Sequence, residues 1–523
     1  MPLRQPFFVD ERVVQVCTVL IGFWKNVKHM LGGLQLKSTL DVVKSKPFPM
    51  IRGLLILSLL STFSIRAIAQ STPDWANDVS CILYSKCTSC HYPGGAAPFS
   101  LMTYAEASGA AAGIYSAVAA NRMPPWPPDP AYRSFIHERS LSVTEKQTIL
   151  DWINNGSPQG NPAQAPPPPV YTSAEVIQNP DLVSKMPVYT IPPIAYDIYR
   201  CFVMPTGNTL QQFITGMEVV PGNKSVVHHV LVFEDTTNTP LQLDAQDPNP
   251  GYVSFGGTGS NASKLLGAWV PGSSPDFYPA GTGIPLSPGA NIIIQIHYPV
   301  GSSFQQDSTK VNFQLTADPN TRSVAVVPAL NQGNLTNGPL FIPANTLRTF
   351  NAQQIIPAAV TLLGIAPHMH LIGRSVRSWA VTLVGDTIPL IDIPDWNFKW
   401  QGSYRFPQPV KIPAFSTLYS TATYDNTINN PYNPSIPPQN VSLGEATTDE
   451  MMLVFFAYLI YQPGDEFMAI DTITGAITYN GCNATTGAGE LQNNEGLNVY
   501  PNPSSGAEVR ISLPNRSYLL RLF

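Results

Sequence analysis

The chain has 523 residues, more than a single core accommodates, so about two to four domains are expected. Only 12% of residues are charged, while 52 are proline and 37 glycine, a mix that suits turn-rich β domains rather than helical bundles. The formal charge of -5, with no basic stretch, argues against a nucleic-acid partner.

Residues 1–69 read as a leader. Met50-Ile51-Arg52 precedes the apolar run GLLILSLLSTFSI, and Ala67-Ile68-Ala69 stands before Gln70. A charged start, a short apolar stretch and an A-x-A site make a secretory signal over about 50–69. The run is too short for a membrane span, so no stable span is expected once it is cleaved. Met50 is the expected start, which would leave out Cys17 and His29; a longer leader acting as a signal anchor is the alternative. An exported location, periplasmic, cell-surface or extracellular, follows, where cysteines oxidise or carry covalent cofactors. Cys81, Cys87, Cys90, Cys201 and Cys482 remain.

Residues 70–160 form a first, helical unit. It holds the Ala-rich stretch TYAEASGAAAGIYSAVAANR and the helix VTEKQTILDWINNG, with Thr144 the expected N-cap and Gly156 the C-terminal stop. Residues 87–91 read CTSCH. Two cysteines so spaced form thioethers to haem vinyl groups, and the following histidine, His91, becomes an axial iron ligand. A redox dithiol and half a zinc site are the alternatives, but no second C-x-x-C exists and no thioredoxin-like pattern surrounds this one. Met123, held among prolines in NRMPPWPPDP, is the expected opposite ligand. Met102 competes, in surroundings that suit core packing. This unit resembles a class I-like cytochrome c, which implies one covalently bound c-type haem on Cys87, Cys90, His91 and Met123. His137, in SFIHERS, reads as a surface or packing residue.

SPQGNPAQAPPPPVY begins a proline-rich linker, taken as a stiff spacer over 161–184. Beyond it short β-type runs (SVVHHVLVFED, ANIIIQIHYPVG, SWAVTLVG, DEMMLVFFAYLIY) alternate with Gly, Pro and Asn turns. Two antiparallel β-sandwich (jelly-roll) domains are expected, over 185–335 and 336–487.

The histidines of this half all lie in strand-like runs: His228, His229, His297, His368 and His370. None has an adjacent carboxylate suggesting a two-histidine-one-carboxylate iron site, and no G-x-S-x-G elbow appears. In APHMHLIGR, His368 and His370 share one face of a strand, with Met369 turned away into packing. His228 and His229 are adjacent, so joint coordination needs a bulge or twist.

Taken in order, SVVHHVLVFED, IQIHYPVG, APHMHLIGR and TTDEMMLVFF resemble the copper type II, ascorbate-dependent monooxygenases, the family of the peptidylglycine and dopamine β-hydroxylating enzymes. The resemblance covers about residues 185–485. It implies one copper on His228, His229 and His297 and a second on His368, His370 and Met451, the latter copper and its ligands being the catalytic set. Neutral imidazoles suit both copper oxidation states, and a thioether favours Cu(I). Only one of Met451 and Met452 can face the site, and the D-E-M match favours Met451. The implied partners are O2, a small organic substrate and ascorbate or another electron donor, with the fused haem unit as a further source of electrons.

Three positions depart from that family. Where the peptidylglycine enzymes hold a substrate carboxylate with arginine, this chain has Ala366, and the polar positions after the ligand methionine are Leu453 and Phe455. The pocket is expected to be apolar there, which speaks against a glycine-extended peptide and for a neutral or aromatic molecule. Cys201 and Cys482 could pair, leaving Cys81 as a thiol, although spacing alone does not fix connectivity. The last stretch, LNVYPNPSSGAEVRISLP, resembles the opening of a type IX secretion sorting domain, here a partial tail over 488–523. The whole reads as an exported copper monooxygenase with a fused cytochrome; a copper and haem electron-transfer protein without hydroxylase activity is the rival.

Overall fold

The computed structural model describes residues 72–171, 175–470 and 482, together with the strand backbone of 498–500, 508–513 and 516–521. The leader expected over 1–69 lies outside the described residues. Among the described residues no helix is long and apolar enough to cross a membrane.

The first unit is helical: a π-turn over Trp75–Val79, then α1 (Ser80–Lys86), α2 (Tyr104–Gly109), α3 (Ala111–Ala119) and α4 (Val143–Asn154). Its small core gathers Trp75, Leu83, Tyr84, Ile114, Ile149 and Trp152. The N-cap of α4 is Ser142, not Thr144. The Ser142 side chain accepts from Glu145 N–H, and Glu145 reaches back to the Ser142 N–H at 2.7 Å, satisfying two orphan donors at once. Gly156 follows the helix with φ +82°, the left-handed turn for which glycine is suited.

The chain just before the stretch read as a spacer packs on this unit, and one residue of that stretch, Tyr171, touches it too. Trp75 and Ala76 donate backbone N–H groups to Pro158 and Gln159, and the Trp152 indole donates to Pro158 O. Tyr171 stacks on Tyr92 with ring centres 4.3 Å apart. Proline removes its own donors but leaves its carbonyls, and these meet the exposed donors of the helical unit.

The rest is β-structure in two pairs of sheets, consistent with two β-sandwiches. In the first, labelled in chain order, β1 (Leu182–Lys185), β2 (Ile198–Pro205), β3 (Gln212–Val220), β4 (His229–Asp235), β5 (Tyr252–Val253), β6 (Lys264–Trp269), β7 (Asp276–Phe277), β8 (Thr282–Leu286), β9 (Asn291–Tyr298), β10 (Lys310–Thr316) and β11 (Arg322–Ser323) form one sheet ordered β1-β10-β3-β8-β11, with β7 on β3, and another ordered β5-β2-β9-β4-β6. Strand β9, NIIIQIHY, is buried along its whole length. Its inner face joins the main core through Ile292, Ile294 and Ile296. Its outer face is covered at Ile293 by a small cluster with Cys201, Tyr252 and Leu243 of the short helix Thr239–Gln246. Each such isoleucine contributes about 1.5–3 kcal/mol by leaving water.

The second pair uses β12 (Ala325–Asn331), β13 (Leu347–Ile355), β14 (Val360–His368), β15 (Gly373–Val381), β16 (Thr387–Ile393), β17 (Tyr404–Ile412), β18 (Thr417–Asp425) and β19 (Leu453–Ile460), ordered β12-β19-β14-β17 and β13-β18-β15-β16. β18 alternates buried and half-buried residues without a break, as a sheet with one inner face requires. The change of sheets falls between Ser323 and Ala325, some ten residues before the expected boundary at 335. The polar stretch near 331–338 is a short 3-10 turn after β12, within the second pair. At the chain end three short strands, 498–500, 508–513 and 516–521, pair antiparallel.

Of the pairings left open by the sequence, Cys201–Cys482 is not the one formed. Cys201 is a buried free thiol in the outer-face cluster of the first sandwich, and Cys482 is bonded to Cys81 of α1, 401 residues away in sequence. Ion pairs stitch the sandwiches together, Arg405 of β17 to Asp276 of β7 and Arg322 to Asp465 among them. Arg322, at the end of the first, grips Asp465 in two contacts of 2.6 and 2.9 Å, while Thr361 of β14 donates to the same carboxylate. Arg322 and then Thr361 hold the Asp465 carboxyl down at about 2, against a desolvation that raises it.

A carboxyl depressed in the folded state stabilises above its unfolded pKa and loses that contribution as pH falls towards its folded one. Asp465→Asn is therefore expected to lose about 2 kcal/mol in urea unfolding at pH 7. The gap from the parent should close between about pH 4 and pH 2; a gap constant over that range would discount the pair.

Candidate metal centres

The first histidine set is built by strand register. His229 opens β4 and His297 lies directly opposite it on β9. His228 precedes the strand, in an irregular stretch after the turn in which Val226 and Val227 both donate to Asn223 O, and its own N–H bonds His297 O at 3.0 Å. Leaving the pleat before His229 lets two adjacent side chains point to one place. His229 Nδ1 lies 3.3 Å from His228 Nδ1 and 3.3 Å from His297 Nδ1. Such spacing is the edge expected between ligand nitrogens bound at about 2.0 Å around one ion. The three side chains could together hold a metal.

The surroundings favour neutral rings. Desolvation, and then His297, push His228 down to about 4. His229 is driven well below its usual range by the same two causes. Outside the trio, His297 Nε2 meets Asp197 Oδ2 at 2.9 Å, and Asp197 also accepts from Val300 N–H. That bond holds the Asp197 carboxyl below its ordinary value and fixes which ring nitrogen faces the trio. Tyr199, on β2 opposite His297, stacks on its ring at 4.4 Å and 8°.

The second set sits at the end of β14. His368 is the last residue of that strand and pairs with Leu453 of β19, so the D-E-M stretch arrives beside the HxH pair. The His368 and His370 ring centres are 5.1 Å apart. His368 Nδ1 bonds the Gln401 side-chain oxygen, and His370 Nδ1 lies 3.1 Å from Asp449 O. Both Nδ1 atoms are thus engaged, which leaves Nε2 of each ring as the ligand atom. Burial, then the neighbouring His370, push His368 down to about 3. Met452 and Met369 belong to the hydrophobic core, whereas Met451, though buried, does not.

Glu450 ties the two stretches together. Its carboxylate accepts from His370 N–H and Ile372 N–H at 2.9 Å each and from Met451 N–H at 3.2 Å. Burial raises this carboxyl to about 8, against the downward pull of those backbone donors. Glu450, Asp197 and Gln401 were not singled out in the sequence; only Glu450 had a local signal there, inside D-E-M. The two sets share one region, since His368 is among the groups that depress His229.

Ala366 and Phe455, the departing positions, pair across β14 and β19 and line a cavity of about 40 Å³ between the sandwiches.

The CTSCH stretch follows α1. Cys87 and Cys90 are free thiols, and His91 Nδ1 meets Phe99 O at 3.1 Å, leaving its Nε2 open. Met102 offers its carbonyl to Tyr84 OH. This stretch abuts the first sandwich: Lys224, in the turn before His228, donates to Tyr92 OH at 3.2 Å. Gly272, at φ +85°, has no room for a side chain, since a Cβ there would lie 2.8 Å from Cys90 Sγ. The segment after Met123 packs on the second sandwich, with Phe135 against Tyr404 and Phe406, and Ile136 N–H on Arg405 O at 3.0 Å.

No family model matches the chain. Over 353 residues, 63% of this chain and 51% of the relative, it is 24% identical to a tyramine β-hydroxylase of Caenorhabditis briggsae. The chain thus spans about half the length of the curated relative it matches. Among solved structures, a viral VP2 subviral particle of infectious bursal disease virus covers 60% of this chain and 89% of its own at a TM-score of 0.13 and 10% identity, too low to bear on the fold. The chain is therefore a distant relative of a hydroxylase.

Two outcomes test this geometry. Asp197→Asn should weaken metal binding at the trio about 10–100-fold in calorimetric titration, while His229→Ala abolishes it. Glu450→Gln places an amide donor against backbone donors, so it should cost about 1–3 kcal/mol and speed hydrogen exchange at the His370 and Ile372 amides.

Proposed function

We propose that the protein is an exported copper-dependent monooxygenase that hydroxylates a small organic molecule with O2. The observation that carries this reading is the pair of clustered histidine sets, one per sandwich, in the chain order of the hydroxylase-like motifs. The sequence similarity to a tyramine β-hydroxylase supports it independently.

His228, His229 and His297 would hold one copper through Nδ1; His368 and His370, through Nε2, with Met451, would hold the other. The donor types fit: imidazole serves both oxidation states and thioether favours the reduced one. When bound, the metal supplies one-electron chemistry and O2 activation. The chain supplies orientation and dryness. Asp197 and Tyr199 fix the His297 ring, Gln401 and Asp449 O fix the His368 and His370 rings, and Glu450 locks the loop that carries Met451. Desolvation disfavours the charged forms of His228, His229, His368 and His370, so protons compete less for their ligand nitrogens.

The helical unit would carry a c-type haem on Cys87 and Cys90, with His91 and Met123 as axial ligands. The free thiols and the His91 Nδ1 bond to a backbone carbonyl, which frees Nε2, suit that role. Contact between Tyr92 and Lys224 favours electron delivery to the His228 trio, with ascorbate or a similar donor as the external source. The Cys81–Cys482 bond suits an oxidising compartment, and the signal-like stretch at 50–69 supplies the export route.

The test is metal and haem content per chain, on protein made in a host that matures cytochromes c. Wild type should hold one copper per histidine set and a single haem. His228→Ala and Met451→Ala should each lose one copper, and ascorbate-dependent O2 uptake should rise with an organic substrate. Haem without copper would overturn the hydroxylase reading, and both metals without substrate-stimulated uptake would leave the electron-transfer rival.

A further inference from the structure

A cavity of about 100 Å³ lies where the helical unit and both sandwiches meet. It is of the order that accepts a single aromatic ring. Trp126 and Ile136 line it from the helical unit, Phe277 from the first sandwich, and Trp400 and Tyr404 from the second. Gln401, whose side chain holds His368 Nδ1, is part of the same wall. The cavity therefore borders the support of the second histidine set.

Two of its lining residues carry buried donors left over. Trp126 Nε1 and Arg139 Nε have no hydrogen-bond partner among the described residues. Both atoms are shut off from solvent, which leaves the terminal N–H groups of Arg139 as the donors that an acceptor in the cavity could meet. Arg139 spends one N–H on Gly272 O at 2.9 Å and sits over the Trp126 ring at 5.5 Å. No carboxylate among the described residues pairs with it. The neighbouring Arg405 differs, being tied to Asp276 at 2.9 Å.

We propose that this cavity is the substrate subsite and that it takes a small aromatic carboxylate, an inference that rests on the hydroxylase reading above. The ring lies among Trp126, Phe277 and Tyr404. The carboxylate accepts two hydrogen bonds from the terminal N–H groups of Arg139. Recognition of the acid comes from the fused helical unit, which compensates for Ala366 in the second sandwich. A charged acceptor strengthens both hydrogen bonds and neutralises the guanidinium.

The experiment is calorimetric titration of the full chain with benzoate, phenylacetate and 3-phenylpropionate, each beside its carboxamide. At least one acid should bind about tenfold or more tighter than its amide. Arg139→Gln should erase that preference, Arg139→Lys should keep part of it, and Trp126→Leu should weaken acid and amide alike, all with parental copper content and melting temperature. Acids and amides binding alike, or not at all, would overturn the proposal. So would an Arg139→Gln protein that keeps the preference but shifts the haem absorption or midpoint potential, since Arg139 would then serve a haem propionate near Cys90. Repeating the titration without copper separates the two ideas. Acid preference in a chain that never takes up copper sinks the hydroxylase reading and leaves a carboxylate site. Copper at both sets with no preference sinks the subsite alone.

Discussion

The pairing of His229 with His297 across β4 and β9 is the constraint on which the first site depends. Side chains alternate along a strand, so slipping either strand by one residue would send these rings to opposite faces. The slip is prevented by burial. β9 is apolar on both faces, with Ile292, Ile294 and Ile296 in the main core and Ile293 in the outer cluster, so no alternative register keeps all of them dry. Packing energy spread over one strand thus sets the position of three nitrogens at its end. The second site repeats the device, with His368 fixed opposite Leu453 by the pairing of β14 with β19.

Burial also decides what the histidines can do. A half-exposed imidazole titrates near neutrality and suits proton transfer. His228, His229 and His368 are desolvated beside other imidazoles, so their charged forms are disfavoured and their lone pairs are kept for a ligand. The carboxylates nearby stand behind the rings or on the backbone: Asp197 on the far nitrogen of His297, Glu450 on amides of the HxH loop. That division, neutral donors inward and carboxylates behind, is what orients ligands without drawing a proton to them.

Local patterns were legible in the sequence and long-range ones were not. The HH and HxH pairs stand out because each lies within a few residues, and the β-rich texture follows from the alternating runs. The adjacent pair His228-His229 raised the right structural question, whose answer is a turn that delays the strand by one residue. The α4 cap had its signature in Ser142 and Glu145, and reading Thr144 overlooked the reciprocal partner. Nothing local could choose Cys81 over Cys201 as the partner of Cys482, because the choice is made by folding across 401 residues. Composition reports stiffness alone, while the docking of Pro158 and Gln159 on the helical unit depends on which carbonyls meet free donors.

The helical unit is more than a module on a tether. It meets the first sandwich at Gly272 and Lys224 and the second at Tyr404, Phe406 and Asp392, whose carbonyl accepts from Asp129 N–H at 2.8 Å. Phe135 belongs to the same continuous core as the strands of both sandwiches. A unit that touches both halves restrains any motion of one against the other, as does the Arg322–Asp465 grip from the opposite side of the chain order. On the hydroxylase reading this has a chemical consequence. If the histidine sets kept an open cleft between them, electrons and substrate would have to be brought together by solvent exchange. Here a third body occupies the junction, supplies to it aromatic walls and a guanidinium with no carboxylate partner among the described residues, and sets Tyr92, next to its C-x-x-C-H stretch, against the turn that precedes the trio. Fusion then does with covalent geometry what separate donors and carriers must do by diffusion.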